Sequence, residues 1–210
     1  MALERRTVPI EIRAVEGEQP TVSWYASVFD SLSEDLGGFR EKIGRRAFTE
    51  TLQQDDVRAL FNHDPSYVLG RSTNGTLSMR VDLTGLNASV TPPDTQWARD
   101  LMVSVKRGDV TAGSFGFNVL EDKWGADEAG NIIREVKKVR LFDVSLVTYP
   151  AYPGTDGTVS MRSLLGDRYN DVMAEIAPAA PPPGGDGMWR LDNARLRLRM
   201  SERAIRIGGL

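Results

Sequence analysis

Apolar and polar positions alternate with period two over much of the first 150 residues, and that pattern predicts strands. Residues 8–15 (Val-Pro-Ile-Glu-Ile-Arg-Ala-Val) alternate and read as one strand, with Pro9 marking an edge or a strand start. Residues 21–29, rich in β-branched and aromatic side chains, read as its partner. Residues 57–62 predict a short strand, and Leu77, Met79, Val81 and Leu83 alternate with polar neighbours as a half-buried strand does. Residues 114–120, 132–136 and 139–148 predict three more. Helical spacing is confined to a few segments. Residues 45–53 place Ala47, Phe48 and Leu52 on one face. A stronger helix follows Pro92-Pro93, is capped by Asp94 or Thr95, repeats Trp97, Leu101 and Val105 every four residues, and stops at Gly108. Residues 161–176 predict a closing helix. Sequential strands with a few helices between them imply a mainly β, α+β domain, its sheet barrel-like and dressed with helices.

Composition narrows the chemistry. The chain has 210 residues, 40% apolar and 26% charged, with net charge −3. That suits a globular domain with a sizeable core. Cysteine is absent, which excludes disulfides, thiolate nucleophiles and Cys-ligated metals. His63 is the one histidine, which excludes multi-His metal centres. The uncharged run 144–155 falls short of the roughly 20 apolar residues of a membrane span. The first six residues lack the apolar stretch of a signal peptide, and with the missing cysteines this points to the cytosol. The mildly acidic balance gives no reason to expect nucleic-acid binding.

Charge is unevenly spread. Residues 188–210 carry six arginines (190, 195, 197, 199, 203 and 206) against Asp192 and Glu202, a net +4 that leaves −7 for the rest. Residues 177–187, Ala-Pro-Ala-Ala-Pro-Pro-Pro-Gly-Gly-Asp-Gly, cannot bury a core and read as a Pro-stiffened linker. The chain therefore divides into a body (1–165), a helical junction (166–176), a linker (177–187) and a basic amphipathic tail (188–210). In the tail Arg195, Arg199, Arg203 and Arg206 recur at helical spacing, away from Leu191, Ala194, Leu198 and Ile205. It reads equally as an element that binds an acidic partner surface and as a solvated terminal segment.

With one His and no Cys, the simplest acyl-transfer site is a Ser activated by His63 and oriented by a carboxylate. Ser114 lies in Ala112-Gly113-Ser114-Phe115-Gly116-Phe117. On a strand, Phe115, Phe117 and Val119 face the core, and Ser114, Gly116 and Asn118 face an open, small-residue surface. The glycines leave room for a substrate backbone. Ala112 stands where the nucleophile elbow of α/β-hydrolases needs Gly, which counts against a generic esterase. No Gly-rich phosphate loop or convincing carboxylate cluster supports a nuclease or phosphoryl transferase. His63 ends an apolar strand at Asn62-His63-Asp64-Pro65. Asp143 shares a strand face with Ser145, opposite Phe142, Val144 and Leu146, and a lone carboxylate there needs a partner. That partner is either Arg140 or His63; Asp64 is a poorer orienter of the imidazole, because adjacent side chains on an extended segment diverge, and Asp109 in the Gly108-Asp109 turn is a rival. Taken singly, Ser114 is equally a residue of a Gly-rich strand start, and His63 a surface residue of an Asp-Pro turn.

Taken together and in order, these segments resemble the tailed-phage prohead maturation proteases. The resemblance runs from about Trp24 to Ser163. It includes Tyr25-Ala26-Ser27-Val28-Phe29, Ala47-Phe48, Leu60-Phe61-Asn62-His63-Asp64 followed by Leu69-Gly70-Arg71, Gly113-Ser114-Phe115-Gly116-Phe117, and the block from Asp143 to Pro153. It implies a serine endopeptidase on a herpesvirus-assemblin-like fold, a closed or nearly closed β-barrel of about six or seven strands surrounded by helices. Such an enzyme works without a metal or other cofactor in the interior of the procapsid, in the host cytoplasm. It trims scaffold, or the scaffolding segment of the major capsid protein, and itself; neither nucleic acid nor membrane is a partner, and a homodimer is compatible with the likeness. Carried over by position, Ser114 is the nucleophile, His63 the general base and Asp143 the third member, where many relatives carry Glu. The backbone N–H groups of Ala151, Tyr152 and Gly154 are the suspected oxyanion donors. The alternative is a catalytically inactive capsid- or scaffold-binding assembly protein on the same fold, which a serine-directed probe on Ser114 distinguishes.

Overall fold

Alternation becomes a strand only where the backbone finds a pairing partner. The computed structural model describes residues 3–9, 12–15, 21–149 and 161–176. Its strands are β1 (Glu4–Pro9), β2 (Arg13–Val15), β3 (Thr21–Val28), β4 (Arg40–Ile43), β5 (Arg58–Phe61), β6 (Asp64–Arg71), β7 (Leu77–Val81), β8 (Gly85–Val90), β9 (Ala112–Ala126) and β10 (Ile132–Val147). Its helices are α1 (Thr51–Gln54), α2 (Gln96–Arg107), α3 (Met161–Leu165) and α4 (Tyr169–Ile176), with a 3-10 turn at Gly166–Arg168. No described helix is long and apolar enough to cross a membrane.

The strands form two sheets, one ordered β1-β9-β10-β5-β6 with β4 also on β10, the other β2-β3-β8-β7. The mainly β, α+β class therefore holds. The closed barrel does not appear among the described residues: β1 and β6 end one order and β2 and β7 the other, and closure requires end strands to pair.

Several expected elements change form. The single strand over 8–15 is two strands, because β1 pairs with β9 and β2 pairs with β3 in the other sheet. Pro9, which has no N–H to donate, is the last residue of β1. The helix over 45–53 contracts to α1. Ala47 C=O, which would accept from Thr51 in a helix, accepts instead from Val139 N–H at 3.1 Å. Leu83, read as the end of a strand, is 86% exposed in the turn from β7 to β8, where Asp82 Oδ1 accepts from Thr84 and Gly85 N–H. The three strands over 114–148 are two long ones, β9 and β10. Lys137 and Lys138 do not interrupt the ladder, since only backbone groups build it, and Lys138 pairs with Glu50 at 2.5 Å. The closing helix breaks at Gly166, whose φ is 53°. Helix α2 keeps its expected bounds, with Leu101 and Val105 buried and Gly108 left-handed at φ 79°, while Thr95 stands at its N-cap without a side-chain cap bond.

The chain forms two compact units. One comprises Met1–Ser31, Ile43–Asp122 and Val136–Tyr152. Its core takes Trp24 from β3, Leu69 from β6, Leu86 from β8, Phe115 and Phe117 from β9, and Leu141 and Leu146 from β10. Phe115 stacks on Phe117 at 4.6 Å and meets Phe48 edge-on at 5.6 Å. Burying each such ring contributes about 1.5–3 kcal/mol, so these two side chains fix which face of β9 turns inward. The other unit comprises Leu32–Lys42, Lys123–Glu135 and Pro153–Leu210, with a core of Phe39, Trp124, Ile132, Met161, Leu165, Val172 and Ile176. Within it Arg134 and Glu41 form a buried ion pair at 2.9 Å, and the guanidinium lies 5.5 Å from the Trp124 ring centre.

Candidate active site

His63 is placed by an unusual hairpin. β5 and β6 pair antiparallel with Phe61 opposite Asp64, which leaves the two-residue loop Asn62-His63. Both residues are left-handed, with φ 52° and 57°, the signature of a type I′ turn. Such turns favour Asn followed by Gly; His in the second place costs on the order of 1–2 kcal/mol. The turn is tied down on β10: Asn62 N–H donates to Leu146 C=O at 2.8 Å, and Asn62 Oδ1 accepts from Thr148 N–H at 3.0 Å. Asp64 and Pro65, expected in the turn, lie in β6, where Asp64 Oδ1 accepts from Ser66 N–H.

β5 runs parallel to β10, with Asp143 opposite Arg58 and Ser145 opposite Leu60. Asp143 and Ser145, two residues apart, present their side chains together. Asp143 Oδ1 is 2.5 Å from His63 Nδ1, and Ser145 Oγ donates to the same oxygen at 2.7 Å. Ser145 Oγ also lies 3.3 Å from His63 Nδ1. Both members of the His63–Asp143 pair are about nine-tenths buried, and burial at that depth requires pairing. Arg140, the rival partner, instead neighbours Asp55 at 3.7 Å and stacks over Phe142; Asp109 pairs with Arg107 at 3.2 Å. Phe142, expected to share a core face with Val144 and Leu146, is 36% exposed beneath Arg140.

The imidazole's other nitrogen completes the chain of contacts: His63 Nε2 is 2.7 Å from Ser114 Oγ. A carboxylate at Nδ1 fixes the tautomer with its proton there, which leaves Nε2 free to accept from the hydroxyl. Ser114, His63 and Asp143, separated by 51 and 80 residues along the chain from His63, thus meet in one unit. Gly116 has a role different from the expected one. A Cβ there would overlap Asp143 Oδ2, so its missing side chain admits the carboxylate rather than a substrate backbone.

Ser114 does not face an open surface. It is 0% exposed, covered by β1, whose Thr7 stands opposite it in the antiparallel register. Ser114 Oγ donates to Arg6 C=O at 2.9 Å and accepts from Thr7 Oγ1 at 3.1 Å. Ala151, Tyr152 and Gly154, like the linker and the basic tail, lie outside the described residues. Among the described residues no group of three or more His, Asp or Glu side chains could hold a metal ion.

Residues 8–166 match the model of the Caudovirus prohead serine proteases. The chain belongs to that family. Among solved structures it is similar to the bacteriophage T4 capsid assembly protease, gp21, at 10% identity and a TM-score of 0.46, over 69% of this chain and 96% of that one. No curated protein sequence matches it.

Three contributors lie outside the expected catalytic residues: Ser145, Thr7 and the left-handed Asn62. Ser145 carried a signal, its spacing of two from Asp143 on a strand. Thr7 carried none, because its proximity depends on β1 pairing with a strand 107 residues away.

Proposed function

We propose that this protein is a serine endopeptidase of phage capsid maturation, with Ser114 as nucleophile, His63 as general base and Asp143 as the group that orients the imidazole. The observation that carries the reading is the unbroken contact line from Ser114 Oγ through both imidazole nitrogens to Asp143 Oδ1, at 2.7 and 2.5 Å. His63 Nε2 takes the hydroxyl proton as Oγ bonds to the carbonyl carbon of a peptide. The imidazolium so formed is stabilised by Asp143, and Ser145 helps hold that carboxylate. The proton then passes to the leaving amine. Water, activated by the same nitrogen, hydrolyses the acyl-enzyme.

Backbone N–H groups of Ala151, Tyr152 and Gly154 are proposed to hold the oxyanion, each worth about 3 kcal/mol in comparable enzymes. The substrate is scaffold, or the scaffolding segment of the major capsid protein, met inside the procapsid. The linker at 177–187 is a self-cleavage site, and the tail at 188–210 carries the protease into the assembling shell. Co-expression with the capsid protein, followed by mass measurement of both products, tests the assignment. Ser114→Ala should abolish cleavage, a loss on the order of 10⁶-fold, while the protein remains folded. Undiminished cleavage by that variant would overturn it.

A further inference from the structure

We infer that Asn62 is a positioning residue for catalysis: its side-chain carbonyl completes the β5–β10 ladder in place of its own backbone carbonyl, and so holds His63 against the strand that carries Asp143. This rests on the protease reading above, because the role belongs to the same reaction.

The ladder shows what is replaced. β5 and β10 run parallel, with Leu60 opposite Ser145 and Phe61 opposite Leu146. Asn62 N–H donates to Leu146 C=O at 2.8 Å and so continues the same register. In a parallel pair, a residue whose N–H bonds one carbonyl of the neighbouring strand accepts, at its own C=O, from the N–H two positions beyond that carbonyl. Here that N–H belongs to Thr148. The chain, however, leaves the sheet at Asn62, whose φ is 52°, to begin the turn that presents His63. Thr148 N–H instead meets Asn62 Oδ1 at 3.0 Å, and Thr148 Oγ1 lies 3.4 Å from the same oxygen.

Asn and Asp meet both demands of this position. Each tolerates a left-handed backbone and carries a carbonyl-type oxygen close to its own main chain, where it imitates a backbone acceptor. Glycine meets the demand on φ alone. The bond bears on the site because His63 is itself left-handed, with φ 57°, and its ring must reach two partners, Asp143 Oδ1 at 2.5 Å and Ser114 Oγ at 2.7 Å. Asp143 lies on β10, and Asn62 is tied to Leu146 of that strand and to Thr148 just beyond it. The base and the carboxylate that orients it are thus held by one stretch of chain. Without Oδ1 the Leu146 bond remains and the hairpin tip can tilt about it, and a displacement of about 1 Å is enough to slow catalysis.

The test uses the full chain and Asn62→Gly, which suits the turn but removes the carbonyl. A fluorophosphonate probe should label Ser114 about tenfold more slowly in this variant, the scale of one lost hydrogen bond. The loss should fall on the maximal labelling rate, with the half-saturating probe concentration held within about twofold. Asn62→Asp restores the acceptor and should return labelling to within about threefold of the parent. A role in the shape of the turn alone would leave Asn62→Gly at the parent's rate, so labelling within about twofold of it overturns the proposal. Because His63 is the one histidine, nitrogen-15 histidine reports its ring without overlap. The parent should show one tautomer, protonated at Nδ1; Asn62→Gly should move toward a mixture of the two, and Asn62→Asp should move back. Hydrogen exchange on the unsubstituted protein is independent of any variant's folding. There the Thr148 amide should exchange at least about tenfold more slowly than an unpaired amide, and unprotected exchange overturns the proposal. The tautomer change with Thr148 protected, but no labelling of any of the three proteins, upholds the hold of Asn62 on His63 and removes the protease reading. Prompt labelling of parent and Asn62→Gly alike does the reverse.

Discussion

Gly116→Ala should disable the site through one methyl group. In the folded protein Gly116 lies on β9 where a Cβ would overlap Asp143 Oδ2. A carbon and a carbonyl-type oxygen settle at about 3.3 Å, so the carboxylate must retreat by about 1 Å or rotate. Either movement draws Oδ1 away from His63 Nδ1 at 2.5 Å and from Ser145 Oγ at 2.7 Å. A misplacement of that size in catalytic geometry costs about 10²-fold in rate, equivalent to about 2.7 kcal/mol of transition-state stabilisation. Overpacking at the buried site should cost about 1–3 kcal/mol of stability as well. The assay compares kcat/KM and KM for peptide cleavage, with thermal unfolding alongside. The loss should fall on kcat, since a Cβ at Gly116 displaces Asp143. Gly125→Ala is the control on the same strand, because a Cβ there meets no atom within 4 Å. If Gly116→Ala cleaves within twofold of the Gly125→Ala control, the close approach of Asp143 to β9 has no bearing on catalysis and the geometric reasoning fails.

Ser145→Ala removes the hydroxyl that donates to Asp143 Oδ1; kcat should drop about tenfold with little change in KM, as a hydrogen bond to a charged group is worth about 1.5–3 kcal/mol. In the second unit, Glu41→Ala leaves Arg134 buried without its carboxylate and should destabilise the fold by about 3–5 kcal/mol; denaturant unfolding of both single variants and the double variant measures the coupling, which should exceed 1 kcal/mol. Hydrogen bonding from Arg71, then from Thr73, and the charge of Arg58 hold Asp56 at about 2 against the ordinary 3.8, while burial opposes them. A carboxyl depressed on folding adds stability that is present above its unfolded value and lost as pH falls through the folded one. Asp56→Asn should therefore flatten the loss of urea midpoint between about pH 4 and pH 2, and added salt should shrink the difference between the two proteins, since the cluster is exposed to solvent.

Local chemistry made part of this molecule legible. Phe115 and Phe117 are core residues because aromatic side chains two apart on a strand share a face, and that also turns Ser114 and Gly116 the other way. Helix α2 could be bounded because Pro92-Pro93 and Gly108 act on their own backbone. The missing cysteines and the single histidine leave acyl-transfer chemistry few forms. The resemblance then tied three distant residues to one site.

What the chain could not reveal alone depends on which strand pairs with which. Residues 8–15 alternate without a break, yet β1 and β2 enter different sheets, because pairing is chosen by the partner's edge and not by the strand's own pattern. The Ala47 carbonyl could serve a local helix or β10, and the tertiary contact won. Gly116 is permissive in any sequence; only the approach of Asp143 made its missing Cβ necessary. Ser114 reads as open from its neighbours and is buried in the fold, because the strand that covers it comes from the far end of the domain sequence. Side-chain type is carried by each residue, whereas distance and access belong to the pairing of segments, and those exist only once the sheets have formed.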